Sequence, residues 1–117
     1  MSGQRPLPSP TPWSAPYWAA ARNRQLSIQC CRSCDKLIMY PKRFCPFCLG
    51  DDLGWKPASG RGDIYSVTVQ RAAAPSGFEE ETPYTLVIVR LAEGVQMMSR
   101  LVGEDAEQAQ CGDAVMV

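Results

Sequence analysis

After Gly50, apolar and polar residues alternate with a period of two in a series of short runs, which is typical of strands with one buried face. Val, Ile, Thr and Tyr dominate these runs, and turn residues separate them. The predicted strands are GWKPA (54–58), DIYSVTVQRA (63–72), YTLVIVRL (84–91), VQMMSRLV (95–102) and AVMV (114–117). The Glu93-Gly94 pair predicts a tight hairpin between two of them, because glycine readily adopts a positive φ.

A short helical segment precedes the last strand. Residues 104–111, EDAEQAQC, predict one or two helical turns with Asp105 as N-cap. Five strands with a short helix before the last suit a small closed or nearly closed barrel, so an OB-fold is predicted over residues 54–117. The last run reaches Val117, and we expect the native chain to continue for a few residues.

The beginning of the chain has a different composition. Four prolines at alternate positions leave residues 1–13 with few backbone donors, so that we expect an extended, flexible leader. Ser14 followed by Pro16 is a typical helix start, with the serine as N-cap. The alanine-rich YWAAARNRQ that follows predicts a helix to about Gln25, within a helical segment assigned to residues 14–26.

The densest chemical signal is CCRSCDKLIMYPKRFCPFC, residues 30–48, which contains five of the six cysteines. It holds two Cys-x-x-Cys knuckles separated by ten residues. Each knuckle places two thiolates on one tight turn, so two knuckles supply the four vertices of a tetrahedral site. Residues 27–53 are therefore predicted to form a zinc ribbon, with short strands at LSIQC and LIMY. The predicted zinc ligands are Cys31, Cys34, Cys45 and Cys48.

Iron binding and disulfide bonding are the two alternatives to zinc for the same cysteines. Iron in a rubredoxin-like site is the main one, because four sulfurs accept either metal. The sequence has no apolar stretch resembling a secretory signal and no run of about 18 apolar residues, so a cytoplasmic location away from membranes is expected. Cytosolic cysteines stay reduced, which disfavours disulfides. Four protein sulfurs leave no open position for substrate, and a structural metal is predicted.

The other two cysteines are predicted to have packing roles. A loop from Cys30 to Cys34 would be one residue too long for a knuckle, so Cys31 is the ligand and Cys30 a packed strand residue. Cys111 has acidic neighbours and no histidine in the chain to activate it, so formation of its thiolate is disfavoured. We predict that Cys111 is a small core residue.

Composition limits the functions open to the chain. Twelve acidic and twelve basic residues give a formal net charge of zero, which offers no long-range attraction to nucleic-acid phosphates or anionic membranes. The lack of histidine removes the commonest general base, and no Ser-His pair, Cys-His pair or phosphate-binding glycine loop occurs. The sequence therefore argues against catalysis by this chain alone.

Several stretches together resemble a known family. They are PYWAAARNRQLSIQCCRSCDKLIMYPKRFCPFC, SGRGDIYSVTV, PYTLVIVRLAEG and the closing CGDAVMV. In this order they are similar to the acyl-CoA-associated proteins that join a zinc ribbon to an OB-fold, known as domain of unknown function thirty-five. The resemblance covers about Pro16 to Val117. It implies an N-terminal helical segment, a rubredoxin-like zinc ribbon and an OB-fold, with metal cysteines at the four positions predicted above.

The resemblance also implies a role beside thiolase-superfamily enzymes. Members of this family form hetero-oligomers with thiolases, acyltransferases, hydratases or lipid-transfer-protein-type aldolases and help them to hold acyl-CoA. Fused members also carry a hydratase domain, which these 117 residues do not contain, so a non-catalytic accessory subunit is expected. The sequence departs from the family after each knuckle, where Asp35 and Leu49 replace the usual glycine.

Direct contact with CoA would require cations for its phosphates. The candidates are Arg71, Arg90 and Arg100, because a guanidinium group can donate two parallel hydrogen bonds to one phosphate. The preferred explanation for each arginine is nevertheless a solvated strand position without a binding role. A nucleic-acid-binding zinc-ribbon and OB-fold module is the alternative function, and an iron electron carrier is the third. Nucleic-acid binding requires a basic groove with stacking aromatics, which the neutral charge disfavours.

Overall fold

A computed structural model describes residues 5–117. Over these residues the chain forms one α-helix and seven strands, joined by short 3₁₀ turns at Glu79–Glu81 and Ala106–Gln108. The elements are α1 (Ala15–Arg22), β1 (Ser27–Cys31), β2 (Leu37–Ile38), β3 (Leu53–Pro57), β4 (Arg61–Gln70), β5 (Tyr84–Leu91), β6 (Gln96–Leu101) and β7 (Ala114–Met116). All strand pairs are antiparallel, and the predicted mainly-β class is confirmed. No helix in this part of the chain is long and apolar enough to cross a membrane.

The predicted leader is only partly described, because residues 1–4 lie outside the described residues. Residues 5–10 form neither helix nor strand, as the alternate prolines predict. Arg5 forms an ion pair with Glu81 and lies over the Phe78 ring, 5.1 Å from its centroid. The leader therefore contacts the loop that precedes β5.

Helix α1 begins where the sequence predicts but is capped differently. Ser14 occupies the N-cap position, yet its side chain makes no capping hydrogen bond. Its Oγ instead accepts a hydrogen bond from the Thr11 backbone N–H at 2.8 Å, which closes a turn before the helix. The helix ends at Arg22, short of the predicted end at Gln25, because Arg24 adopts a left-handed φ of 59°.

The first sheet, in the order β2-β1-β3, carries the cysteine knuckles. The prediction that GWKPA opens the barrel is wrong, because this run forms most of β3 and pairs with β1 from Cys31↔Leu53 to Ser27↔Pro57. The knuckles explain this pairing. They bring Cys48 Sγ to 3.5 Å from Cys31 Sγ at the end of β1, so the chain that leaves the second knuckle runs back beside β1.

The second sheet, in the order β6-β5-β4-β7, curls into a half-barrel. It contains four of the five predicted barrel strands, since the remaining run is β3 of the first sheet. A bulge in β4 between Ile64 and Ser66 bends the sheet. The predicted Glu93-Gly94 hairpin is confirmed, with Gly94 at φ 96°. The predicted helical turn before the last strand is confirmed at Ala106–Gln108, although Asp105 makes no side-chain cap.

Both sheets contribute to one main hydrophobic core. Its buried members are Ile28, Ile64, Val87, Val89, Leu91 and Met97. Ile28 comes from β1 of the ribbon sheet, whereas the others come from the half-barrel. A hydrogen bond from the Met98 backbone N–H in β6 to the Tyr40 hydroxyl of the ribbon (2.7 Å) adds a second connection. The ribbon is therefore fixed to the half-barrel, and its knuckles have a defined position on the molecule.

Candidate metal centre

Both knuckles are built by the same pair of backbone hydrogen bonds. In the first, the Cys31 carbonyl accepts from Asp35 N–H (2.9 Å) and Cys31 N–H donates to the Lys36 carbonyl (2.9 Å). In the second, the Cys45 carbonyl accepts from Leu49 N–H and Cys45 N–H donates to the Gly50 carbonyl, both at 2.8 Å. The turns therefore close in the same way, although neither has glycine after its second cysteine.

The turns bring four sulfur atoms together, those of Cys31, Cys34, Cys45 and Cys48, all within 4.8 Å of one another. Sγ–Sγ distances are 3.5 Å for Cys31–Cys48 and 3.6 Å for Cys34–Cys45. A tetrahedral zinc site with Zn–S bonds of about 2.3 Å has edges of about 3.8 Å, so the cluster matches its size. Disulfide sulfurs lie only about 2.05 Å apart, so these are free thiols arranged around a common centre.

The thiols differ in how readily they ionise. Desolvation opposes ionisation of Cys45, but the backbone N–H groups of Cys48 and Phe47 outweigh it and lower the pKa of Cys45 to about 7. The Lys36 backbone N–H lowers the pKa of Cys34, yet desolvation and the neighbouring sulfurs prevail and raise it to about 12. A metal that binds all four sulfurs must displace protons, so its affinity falls as the pH is lowered.

The structure places the remaining cysteines apart from this cluster. Cys30 is buried in β1, as predicted, and is not among the four clustered residues. The prediction that Cys111 is a core residue is wrong, because its side chain is exposed. It lies in a turn before Gly112 (φ 94°), closed by a hydrogen bond from Gln110 N–H to Asp113 Oδ2 at 2.9 Å. That turn keeps the segment at the surface.

A buried glutamine holds the loop between the knuckles. Gln29 is 2% exposed, and its amide makes two hydrogen bonds to the backbone of one residue. Gln29 Nε2 donates to the Lys42 carbonyl at 2.8 Å, and Lys42 N–H donates to Gln29 Oε1 at 2.7 Å. This clamp sets the approach of the second knuckle. Sequence reasoning missed it, because a single polar residue in a strand run gives no sign of its partner.

The structure does not gather the three candidate arginines into one basic site. Arg71 lies 3.7 Å from Glu107, Arg100 lies 2.8 Å from Glu81, and Arg90 lies over the Tyr65 ring at 4.6 Å. Arg100 pairs with Leu86 across the sheet, and Arg90 is four residues further along β5. At about 3.4 Å per residue, these two positions are about 14 Å apart along the strand direction. Their role towards CoA stays a prediction.

Comparison with known proteins identifies both halves of the chain. The rubredoxin-like zinc ribbon domain of ChsH2 matches residues 18–54, and the C-terminal OB-fold domain of ChsH2 matches residues 55–117. A probable enoyl-CoA hydratase alpha subunit of Thermomonospora curvata is 33% identical over 97% of this chain, which covers 35% of that protein. A DUF35 domain-containing scaffold protein of Pyrococcus furiosus is 34% identical over 64% of this chain, which covers 55% of that protein.

Solved structures give the same result. A chain of the structure described as Ltp2-ChsH2(DUF35) aldolase superposes with a TM-score of 0.83 at 32% identity, covering 94% of this chain and 85% of that one. The family resemblance seen in the sequence is thereby confirmed. This chain belongs to the ChsH2, or DUF35, family, whose members join a rubredoxin-like zinc ribbon to an OB-fold.

Proposed function

We propose that the four clustered cysteines hold one structural zinc ion. The size of the sulfur cluster and the match to a zinc ribbon domain support this assignment. When bound, zinc cross-links the two knuckles and presents no open vertex to water or substrate. The smaller core beneath the knuckles explains why a metal is needed, because its buried members are two of these cysteines, Cys31 and Cys45, and Ile38. Iron is the competing metal, and elemental analysis of the purified protein separates the two.

We further propose that the chain is a non-catalytic accessory subunit that docks on a thiolase-superfamily enzyme acting on CoA thioesters. The observation that carries this proposal is the superposition, over 94% of the chain, on a chain of an Ltp2-ChsH2(DUF35) aldolase structure. The scaffold name of the Pyrococcus relative supports the same function. The chain itself contains no histidine, and the cysteine cluster within residues 5–117 offers four sulfurs, which fill all four vertices of a tetrahedral metal.

In this function the chain supports acyl-CoA handling by the partner enzyme. It does so by holding a rigid surface against the partner, since the ribbon and half-barrel share one core. Among the three candidate arginines, Arg71 is the first candidate for direct binding of a CoA phosphate. Its side chain is 68% exposed and is only loosely paired with Glu107, at 3.7 Å. Arg100 is held more closely, by Glu81 and the Tyr84 ring.

The test is native mass spectrometry of a tagged copy of this chain purified from its source organism, followed by reconstitution with the recovered partner. We expect a thiolase-superfamily enzyme in fixed stoichiometry, with one zinc per copy of this chain. The reconstituted complex should turn over a CoA thioester, whereas this chain alone should not.

Two results would contradict the proposal. A chain that stays monomeric in the presence of candidate thiolase-superfamily enzymes is not their subunit. A chain recovered with bound nucleic acid instead supports the alternative function as a nucleic-acid-binding module.

A further inference from the structure

A groove of about 490 Å³ separates the second knuckle from the turn that joins β5 to β6. Its apolar lining includes Leu37, Met39 and Val95, which are half-buried and pack against the main core. Phe47 forms part of the wall and is 62% exposed. The groove is therefore a firm apolar depression beside an aromatic side chain that has little cover from its own chain.

The same groove carries positive charge. Lys42 is one of its lining residues, and Lys36 Nζ lies 5.7 Å from the centroid of the Phe47 ring. Within residues 5–117, neither lysine forms an ion pair, whereas Arg5, Arg32, Arg71 and Arg100 all do. Among residues 5–117, no carboxylate lines the groove. Glu93, next to Gly94, accepts a hydrogen bond from Ser59 N–H, and Asp35 is beside Lys36 in sequence. The lysines thus have charge available for an external partner.

These features define what fits the groove. Covering it with an apolar surface alone would bury two unpaired ammonium groups, which is costly unless carboxylates accompany the apolar contact. An exposed aromatic side chain set in an apolar depression is also a common anchor of protein–protein contacts. A nucleic-acid strand fits poorly, because two lysines on a molecule of zero net charge neutralise few phosphates.

We propose that this groove docks a segment of the partner enzyme that carries an apolar side chain flanked by one or more carboxylates. The inference rests on the proposed function, since it names the surface through which that complex forms. The apolar side chain occupies the depression against Phe47, and the carboxylates pair with Lys36 and Lys42. Gln29 stabilises this surface by holding the Lys42 backbone in place.

The test uses the partner enzyme recovered with this chain and measures the dissociation constant by calorimetry at low and high salt. We expect Phe47→Ala to weaken association at least tenfold at both salt concentrations, because an apolar anchor is lost. We expect the double variant Lys36→Glu/Lys42→Glu to weaken association at least tenfold at low salt. The loss should be smaller at high salt, because salt screens the interaction between these side chains and the carboxylates of the partner. The matched control is Lys56→Glu, the remaining lysine, which is exposed on β3 away from the groove.

The zinc content of every variant is measured, so that loss of binding is not mistaken for loss of the ribbon. A wild-type chain that forms no complex overturns the proposed function itself. A complex that forms normally but loses less than twofold affinity in the groove variants overturns only the docking surface. A lysine variant that keeps its affinity for the partner but loses CoA binding also overturns the docking surface, because the two lysines then bind a phosphate of CoA.

Discussion

Two residues with left-handed backbone close the knuckles, at positions where glycine is the residue of lowest strain. Asp35 has φ 62° and Leu49 has φ 64°. Aspartate tolerates this region better than leucine, because its short polar side chain can hydrogen-bond locally. The left-handed conformation costs an ordinary residue about 1–2 kcal/mol. This strain explains why glycine is favoured after the second cysteine of a knuckle. The hydrogen-bonded turns show that each knuckle still forms with aspartate or leucine in place of glycine.

Leu49→Gly is therefore expected to stabilise the zinc-bound ribbon by about 0.5–1 kcal/mol, since relief of strain outweighs the greater chain entropy of glycine. Zinc affinity, measured by competition with a chromophoric chelator, should rise about two- to fivefold. The control is Val102→Gly, at a residue with the same 78% exposure and no positive φ, which should not increase zinc affinity. An unchanged affinity in Leu49→Gly would contradict the strain argument.

At the scale of elements, the sequence predicts most strands because alternate residues of each run are apolar and lie on the same buried face of a sheet. The run 84–91 is reproduced residue for residue as β5. The misplaced run, GWKPA, fits a ribbon or a barrel strand equally well, and only the sulfur cluster decides between them. The exposed position of Cys111 was not predictable either, because a lone cysteine carries no periodicity. The clustering of Cys31, Cys34, Cys45 and Cys48 was predictable because their spacing is itself the geometric constraint.

One hydrogen bond between elements makes the stability of the fold depend on pH. Glu93, in the turn between β5 and β6, accepts a hydrogen bond from Ser59 N–H, between β3 and β4, at 2.9 Å. This backbone N–H lowers the pKa of Glu93 below its ordinary value of 4.5. Because the folded-state pKa is the lower one, the charge stabilises the fold above about pH 4.5 and loses its effect as the pH falls through the folded pKa.

Glu93→Gln should therefore lower the free energy of unfolding at pH 7 by about 1 kcal/mol or less. The difference from wild type should shrink as the pH is lowered towards 3, because the wild-type carboxylate is then protonated as well. Urea unfolding between pH 3 and pH 7 measures this difference. A gap that is constant over the whole range would show that the charge of Glu93 does not contribute.

At the scale of the whole molecule, the two modules depend on different sources of stability. The half-barrel has a main core of apolar side chains, to which β1 contributes Ile28. The knuckles have a smaller core in which two of the clustered cysteines, Cys31 and Cys45, accompany Ile38. A ribbon of this kind obtains about 10 kcal/mol or more from its metal, far more than this small core supplies. Metal loss should therefore disorder the knuckles and spare the half-barrel.

Cys45→Ser tests this division directly. We expect loss of zinc and of amide protection over residues 31–50, with protection kept in β5, and association with the partner enzyme should weaken at least tenfold. Hydrogen exchange, elemental analysis and calorimetry measure the three effects, and Cys111→Ser, an exposed cysteine outside the cluster, serves as the matched control. A variant without zinc that still binds the partner at full affinity would place the docking surface on the half-barrel. Joint loss of zinc, local order and binding would make the metal the element that holds the docking surface in shape.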